Sequence, residues 1–292
     1  MRRDCQRNNT YWDRWINFEE STISETIHGL KNNPVVPFHR ACNLFDLARD
    51  HWHLMLLRYS RGDAISELSQ YFPGILTYWE LSNSLFAEIG RGGGDRGRWN
   101  GPFLNWYQIS FWLVGLALTL NIPDDQWQRL LAIIGNEGED RLLDQIIATR
   151  QPGRKIGATL CHPKPYARLL AAVEAPANLQ ARKLATFVKH WYRELKRRQE
   201  ECGPYWYRNH EDSDDWGSYF GQWCIEAVAV VKAFGLDDRL CLGHPHYPGD
   251  LLRPNGPTTH PPCPEQLKEE KAKSWLASLK ERISHWLQTI LQ

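Results

Sequence analysis

Residues 104–122 read LNWYQISFWLVGLALTLNI and form one long apolar stretch. The stretch is close to the ~20 residues that a helix needs to cross a bilayer. Five polar residues interrupt it, however, and no basic residues flank its ends. Helices that are apolar on all sides also lie at the centre of large globular domains. The stretch therefore predicts a buried central helix and no membrane partner.

Apolar residues recur at helical spacing along most of the remaining chain. Few segments alternate with a period of two over more than four residues, which is the pattern of a strand. The sequence therefore predicts an all-α fold. Asp63 is placed to cap the helix that carries Ile65, Leu68 and Phe72. The other predicted helices span residues 11–30, 36–58, 74–89, 104–122, 141–148, 166–173, 179–198 and 223–231, and a further one begins at residue 123.

Composition divides the chain into three parts. We expect an N-terminal helical domain at residues 1–125 and a C-terminal helical domain at residues 126–252, packed as a bundle-like array. Residues 253–292 begin as a Pro-rich linker. They end in a predicted amphipathic helix at residues 265–291, whose apolar positions recur every three or four residues. This helix can dock on its own chain or contact a second copy, so the sequence leaves homo-oligomerisation open.

The overall charge limits the class of partner. Lys and Arg total 35 against 34 for Asp and Glu. A dedicated nucleic-acid binder carries a marked basic excess, so we expect no direct contact with nucleic acid. Any electrostatic partnership must come from local patches.

The seven cysteines of the 292-residue chain are an odd number and widely scattered, unlike the dense frameworks of small secreted domains. The first nine residues run into polar side chains where a signal peptide needs an apolar stretch. We therefore expect reduced thiols and a cytoplasmic location.

Three short motifs resemble cofactor or metal sites, and each fails on its context. Residues 92–97 match GxGxxG but do not follow a strand. The acidic run after residue 210 resembles the start of a calcium loop, yet Trp223 stands where a bidentate Glu is required. Cys241, His244 and His246 are three possible ligands, whereas structural zinc takes four. The sequence predicts no cofactor, no metal and no catalytic residue.

The second half carries a more specific pattern. Residues 205–210 read YWYRNH, residues 219–232 read YFGQWCIEAVAVVK, and residues 244–251 read HPHYPGDL. In order and spacing these blocks resemble the C-terminal domain of the PoNi-type immunity proteins, and residues 58–63, RYSRGD, resemble the N-terminal domain of that family. The HYPGD of the last block departs from the usual Tyr-Tyr-Pro-Tyr-Asp, and the tail that follows has no counterpart. The family-motif residues, for which we expect structural roles, are Tyr207, His210, Trp223, Glu226, Asp237, Asp238, Tyr247, Pro248 and Asp250.

The resemblance implies a helical, cytosolic, non-enzymatic protein that binds a cognate nuclease toxin. Such toxins are DNase effectors that bacteria deliver through secretion systems such as type VI. A DNase groove must be basic to bind phosphates, so exposed carboxylates are the expected contacts. The candidate toxin-binding residues form a first acidic patch, Glu211, Asp212, Asp214 and Asp215, and a second, Glu137, Glu139 and Asp140.

Glu226 interrupts an otherwise apolar helix. A buried carboxylate needs a partner, and we expect a buried arginine or an aromatic hydroxyl beside it. Two alternatives to toxin binding are open at this stage. One is a scaffold that oligomerises through its C-terminal helix. The other is a helical enzyme that pairs a carboxylate with one of four histidines as acid and base, namely His162, His210, His244 or His246.

Overall fold

The chain folds into α-helices joined by short loops. A computed structural model describes residues 1–90, 104–197 and 203–265, together with residues 267, 275, 276 and 280. These residues form nine α-helices and three short 3-10 helices, with no strand among them, which confirms the all-α prediction. The α-helices are α1 (Asn9–Asn32), α2 (Pro37–Arg61), α3 (Phe72–Glu88), α4 (Leu104–Thr119), α5 (Asp124–Ile134), α6 (Arg141–Ala148), α7 (Pro163–Val173), α8 (Ala177–Glu194) and α9 (Ile225–Phe234).

The segment after Asp63 differs from its prediction. Ile65–Tyr71 is a 3-10 helix, and no side chain caps it. Asp63 instead forms ion pairs with Arg58, at 2.9 Å, and with Arg61, at 2.6 Å. The carboxylate is therefore used to close the end of α2 and is not available to begin the next helix.

Helix α4 is the buried central helix that its sequence predicts. Every side chain from Tyr107 to Thr119 is buried. Gly115 lets α9 approach closely, because a Cβ at this position would lie 2.9 Å from Ile225 Cγ2 and 3.0 Å from Ala229 Cβ. Across the described ranges, no helix combines the length and the hydropathy needed to span a bilayer.

One hydrophobic core crosses the predicted boundary at residue 125. Helix α2 lies against α1 and α3, α7 lies against α8, and α4 packs on α9 from the other side of the boundary. The core includes Trp12 and Leu57 from the first part and Trp191 and Val228 from the second. The two predicted helical units are therefore packed together through shared buried side chains.

The two ends of the described chain meet, which corrects the expectation that every cysteine is a free thiol. Cys5 and Cys263 form a disulfide although 258 residues separate them, because the fold brings their Cα atoms to 5.3 Å. Tyr59 and His260 are hydrogen-bonded nearby at 3.0 Å. Residues 253–265 thus lie against the body of the protein. The GxGxxG stretch, Cys202 and nearly all of the predicted C-terminal helix fall outside the described residues.

Candidate functional site

Glu226 lies fully buried in the first turn of α9, where four helices meet. An aromatic hydroxyl is beside it, as expected. Burial raises the pKa of its carboxyl group, although the hydrogen bonds it receives act in the opposite direction. The residue is a structural link between helices. Its Oε1 accepts hydrogen bonds from Gln108 Nε2 of α4 at 3.0 Å, Tyr166 OH of α7 at 2.9 Å and Trp191 Nε1 of α8 at 3.2 Å.

The RYSRGD motif joins the first half of the chain to the family block of the second. Ser60 Oγ accepts a hydrogen bond from Trp223 Nε1 at 2.8 Å and donates one to the Phe220 carbonyl at 2.8 Å. The Trp223 ring also contacts Tyr59 edge to face, with centroids 5.0 Å apart. These contacts join Trp223 to the last turn of α2.

Tyr207 and His210 pack against Tyr192 of α8 and Gln222 near the protein surface. The Tyr207 ring stacks on Tyr192 with centroids 4.6 Å apart. His210 Nδ1 accepts a hydrogen bond from Gln222 Nε2 at 2.9 Å. Both residues are half-buried, so they fix the loop that follows residue 210 onto α8.

Asp238 anchors the segment after α9. It is buried and accepts hydrogen bonds from Tyr247 OH at 2.7 Å and Arg253 Nη1 at 2.9 Å. Asp237 points outward instead, and hydrogen bonds from Arg239 lower the pKa of its carboxyl group to about 2. The two neighbouring acids therefore have different roles, one internal and one on the surface.

Asp250 fastens the N-terminus and the tail to the body. Its buried carboxylate lies 2.6 Å from Arg3 Nε and accepts the Thr259 backbone N–H at 2.6 Å. These partners hold the pKa of the carboxyl group below its usual range, although burial acts to raise it. Pro248 is buried just before Asp250 and precedes the 3-10 helix Gly249–Leu252.

The first acidic patch lies on the surface, but its carboxylates are paired with other groups of the chain. Arg7 is only 12% exposed at its side chain and also donates to two carbonyls of this loop, so it fixes the loop against α1. Each acid of the patch has a partner within the chain. The pairs are Glu211 with Arg208 at 2.5 Å, Asp214 with Arg7 at 2.8 Å, Asp215 with Arg14 at 2.9 Å, and Asp212 with the Ser218 hydroxyl at 2.5 Å.

The second acidic patch contains two surface residues and one buried residue. Glu137 and Glu139 are exposed. Asp140 is fully buried and is the N-cap of α6, where its Oδ1 accepts two backbone N–H groups and the Tyr107 hydroxyl, the last at 3.0 Å. Asp140 therefore stabilises the start of α6. Its carboxylate is enclosed by these donors and by the Cys161 backbone N–H, so it does not lie on a contact surface.

The histidines of the alternative enzyme reading lie among aromatic rings. Burial lowers the pKa of His246 to about 4, and its ring stacks on Tyr192 with centroids 5.2 Å apart. His162 precedes α7, with its ring 5.1 Å from that of Tyr107. In the described part of the chain, no hydrogen bond or ion pair joins His210, His244 or His246 to a carboxylate. The same part holds no group of three or more His, Cys, Asp or Glu placed to bind a metal.

A cleft of about 480 Å³ lies between α1, α2 and the loop at residues 205–218. Burial and the nearby Asp50 carboxylate raise the pKa of Glu19 to about 7. Burial lowers the pKa of His53 to about 3, so this imidazole is neutral. The residues that line the cleft are Glu19, Arg49, Asp50, His53, Tyr205, Trp206, Arg208, Asn209, Asp212, Trp216, Gly217 and Ser218.

Sequence reasoning missed this cleft. Glu19 stands in a Glu-Glu pair on a charged helix, a pattern typical of a solvated face. The available signal was its position four residues after Trp15, which places both side chains on one face of α1. That face is covered by the distant loop at residues 205–218, and local sequence does not indicate such coverage.

Two exposed aromatic rings flank the acidic loop. Trp216 is 72% exposed and Phe18 is 54% exposed. Trp15 packs against the Phe18 ring, and its Nε1 donates to the Asp214 carbonyl at 2.8 Å. Gly217 allows this contact, since a Cβ there would lie 2.2 Å from the Trp15 ring. We call the surface of Phe18, Glu19 and residues 211–217 the α1–loop face.

Comparisons with known proteins extend the resemblance to most of the chain. The sequence matches the PoNe immunity protein (PoNi) N-terminal family over residues 3–132 and the PoNe immunity protein C-terminal family over residues 138–251. No curated protein matches it. The crystal structure of protein PA2201 from Pseudomonas aeruginosa shares the fold, with a TM-score of 0.65 at 20% identity, over 87% of this chain and 91% of that one. The two family matches together cover well over half of the sequence, and the chain belongs to the PoNe immunity protein family.

Proposed function

We propose that this protein binds a cognate DNase toxin, of the kind delivered by type VI secretion, and holds it inactive through the α1–loop face. Membership of an immunity family is the observation that carries the proposal. The proposal assigns no catalysis to this chain. It places the protein in the cytoplasm, because that is where a DNase reaches bacterial DNA, and the reducing conditions of that compartment oppose the Cys5–Cys263 disulfide.

The charges of the α1–loop face suit a basic partner. Asp214 and Asp215 keep 61% and 76% of their side chains exposed although each contacts an arginine. Exposed ion pairs contribute only about 0–1 kcal/mol, so a partner with a denser positive charge can replace them at little cost. A nuclease groove carries such a charge, because it must neutralise phosphates. The acids would speed association and compete with DNA for the same surface.

The exposed aromatic rings supply the apolar contacts that charge alone cannot provide. Binding energy in protein interfaces concentrates in a few residues, and Trp is enriched among them. Trp216 and Phe18 are large and exposed, and the Phe18 ring packs edge to face on the buried Trp15, with centroids 5.1 Å apart. The α1–loop face therefore combines aromatic anchors with a rim of carboxylates, whereas Glu137 and Glu139 provide a secondary acidic surface without such anchors.

The experiment combines a pull-down with a DNA-degradation assay, using the product of the neighbouring gene as the toxin. We expect a stoichiometric complex in which DNA cleavage is silenced. Reversing three charges, with Glu211→Lys, Asp214→Lys and Asp215→Lys, should weaken inhibition about tenfold or more at low salt, and mainly by slowing association.

A matched control reverses three exposed acids elsewhere, Glu25→Lys, Glu67→Lys and Glu88→Lys. This variant has the same net charge, so it should inhibit nearly as well as the wild type if position matters. Equal losses in both variants would overturn the assignment of the α1–loop face. Absence of both binding and protection in the wild type would overturn the proposed function.

A further inference from the structure

The cleft between α1, α2 and the loop at residues 205–218 has the features of a site for a cationic side chain. Glu19 is half-buried at its edge, and no hydrogen bond or ion pair within the described residues satisfies its carboxylate. Two charged groups act on this carboxylate, Asp50, which repels it, and Arg49, which attracts it. Arg49 is already shared, at 2.8 Å from Asp46 and 3.2 Å from Asp50. The cleft thus contains a carboxylate with no cation of its own.

Asn209 provides an independent observation in the same cleft. Its side chain lines the cleft, and the residue is only 6% exposed. Its Nδ2 donates to the Ser218 carbonyl at 2.7 Å, which fixes the amide so that Oδ1 is an acceptor. That Oδ1 is buried and accepts no hydrogen bond from the described residues. A buried acceptor without a donor costs free energy, about 1–3 kcal/mol, and a ligand with N–H groups would remove this cost.

The remaining lining favours a guanidinium over an ammonium ion. Aromatic rings of Tyr205 and Trp216 border the cleft. A guanidinium offers five N–H donors in one plane and stacks on aromatic faces, whereas an ammonium is a compact, strongly hydrated charge. His53 adds no positive charge, because its imidazole is neutral, and Arg208 is engaged by Glu211. Acceptors in several directions together with flat rings are what an arginine side chain requires.

We propose that this cleft receives an arginine side chain of the toxin, with Glu19, Asp50 and Asn209 as acceptors of its guanidinium. The inference rests on the proposed function, because the cleft overlaps the α1–loop face and shares Glu19, Asp212, Trp216 and Gly217 with it. It adds to that function a defined pocket and the chemistry of the group that fills it. Such a buried, charge-paired contact would be a main determinant of the lifetime of the complex.

The first test measures binding of the full-length protein to the toxin with Glu19→Gln/Asp50→Asn. We expect the Kd to rise about tenfold or more, mainly through faster dissociation. The control variant, Glu25→Gln/Glu67→Gln, removes the same charge from exposed positions and should bind within about twofold of the wild type. Thermal unfolding verifies that both variants are folded. Wild-type affinity in a folded Glu19→Gln/Asp50→Asn variant would overturn the pocket while leaving the proposed function intact.

A second pair of variants can still refute the pocket should the double substitution unfold the protein. Trp216 is 72% exposed and Leu240 is 60% exposed, so Trp216→Ala and Leu240→Ala should both fold. We expect only Trp216→Ala to weaken binding. Equal affinity of the two variants would count against the pocket.

The identity of the bound group is tested from the side of the toxin. Each exposed arginine of the toxin is changed to Ala and to Lys, and binding is measured against the wild-type protein and Glu19→Gln/Asp50→Asn. For one arginine, the Arg→Ala substitution should weaken binding to the wild-type protein but have little further effect on binding to Glu19→Gln/Asp50→Asn. The Arg→Lys substitution at the same position should bind as weakly as Arg→Ala. If no arginine is coupled to the cleft, or if Lys substitutes fully, the guanidinium assignment is wrong. Failure of the wild-type pair to bind would instead reject the proposed function.

Discussion

The carboxylate of Glu226 receives three hydrogen bonds on one oxygen, while its Oε2 has no partner in the described part of the chain. Burial raises its pKa above 4.5, the value of an unperturbed Glu. In the pH interval between the unfolded and folded pKa values, the folded protein keeps a proton that the unfolded chain has lost. Wild-type stability should therefore fall as pH rises through this interval.

Glu226→Gln preserves the acceptor oxygen and removes the titration. We expect its free energy of unfolding, relative to the wild type, to increase as the pH rises above about 4.5 and to be constant below it. Urea unfolding at a series of pH values measures this difference. Glu226→Ala should cost about 3 kcal/mol or more, because three buried donors lose their acceptor. Parallel pH profiles for the wild type and the Gln variant would contradict the prediction.

We expect Glu19 to make the binding of the toxin sensitive to pH. Its pKa of about 7 leaves the carboxyl group partly protonated near neutrality, and an incoming cation favours the ionised form. Affinity should therefore rise between pH 6 and pH 8, with proton release, and this increment should be absent in Glu19→Gln. Calorimetry in two buffers of different ionisation enthalpy measures the released proton. The wild type and Glu19→Gln share the other charged or titratable groups of the cleft, which are Arg49, Asp50, His53, Arg208 and Asp212.

At the residue scale, sequence reasoning succeeded where one side chain needs one kind of partner. It expected a buried arginine or an aromatic hydroxyl at Glu226, and Tyr166 provides the hydroxyl. It failed where geometry decides between surface and interior. Asp140 was expected on a surface patch, yet it is an N-cap whose carboxylate turns inward. An acid before a helix can be an exposed surface residue or a buried N-cap, and the sequence alone does not show which way its side chain points.

At the scale of elements, α4 and α9 meet through small residues. Gly115 has no room for a side chain because of Ile225 and Ala229. Gly115→Leu should therefore lower the free energy of unfolding by about 1–3 kcal/mol or more through overpacking. Gly29→Leu is the matched control, since a Cβ in this helix position meets only Asn33 Nδ2, at 3.9 Å.

The control should raise stability by roughly 0.5–1 kcal/mol, because Leu is a better helix former than Gly. Urea midpoints of the two variants should thus move in opposite directions. Equal shifts would mean that α4 and α9 are less closely packed than the structure indicates. Helix positions were largely predictable because apolar periodicity is local. The 3-10 helix at Ile65–Tyr71 was not, because the Asp63 carboxylate pairs back to Arg58 and Arg61 of α2 and does not cap the next helix.

At the scale of the whole molecule, the two ends of the described chain are joined by several contacts. Cys5 is bonded to Cys263, Asp250 binds Arg3, and Arg2 pairs with Glu265 at 3.0 Å. Sequence could not predict this closure. An odd number of widely spaced cysteines does not exclude a disulfide between residues that the fold brings together. No local sequence pattern indicates that Cys5 and Cys263 meet.

The disulfide should stabilise the protein chiefly by restricting the unfolded chain. Cys5→Ser/Cys263→Ser should lower the free energy of unfolding by about 2–4 kcal/mol in non-reducing buffer. A reductant should bring the wild type to the same value and leave the variant unchanged, while Cys42→Ser, which removes a free thiol, should have little effect. Toxin binding at low temperature should survive in the double variant, because Arg7, Trp15 and Gly217 hold the α1–loop face independently of the disulfide. Loss of binding together with stability would mean that closure of the termini also positions the binding surface.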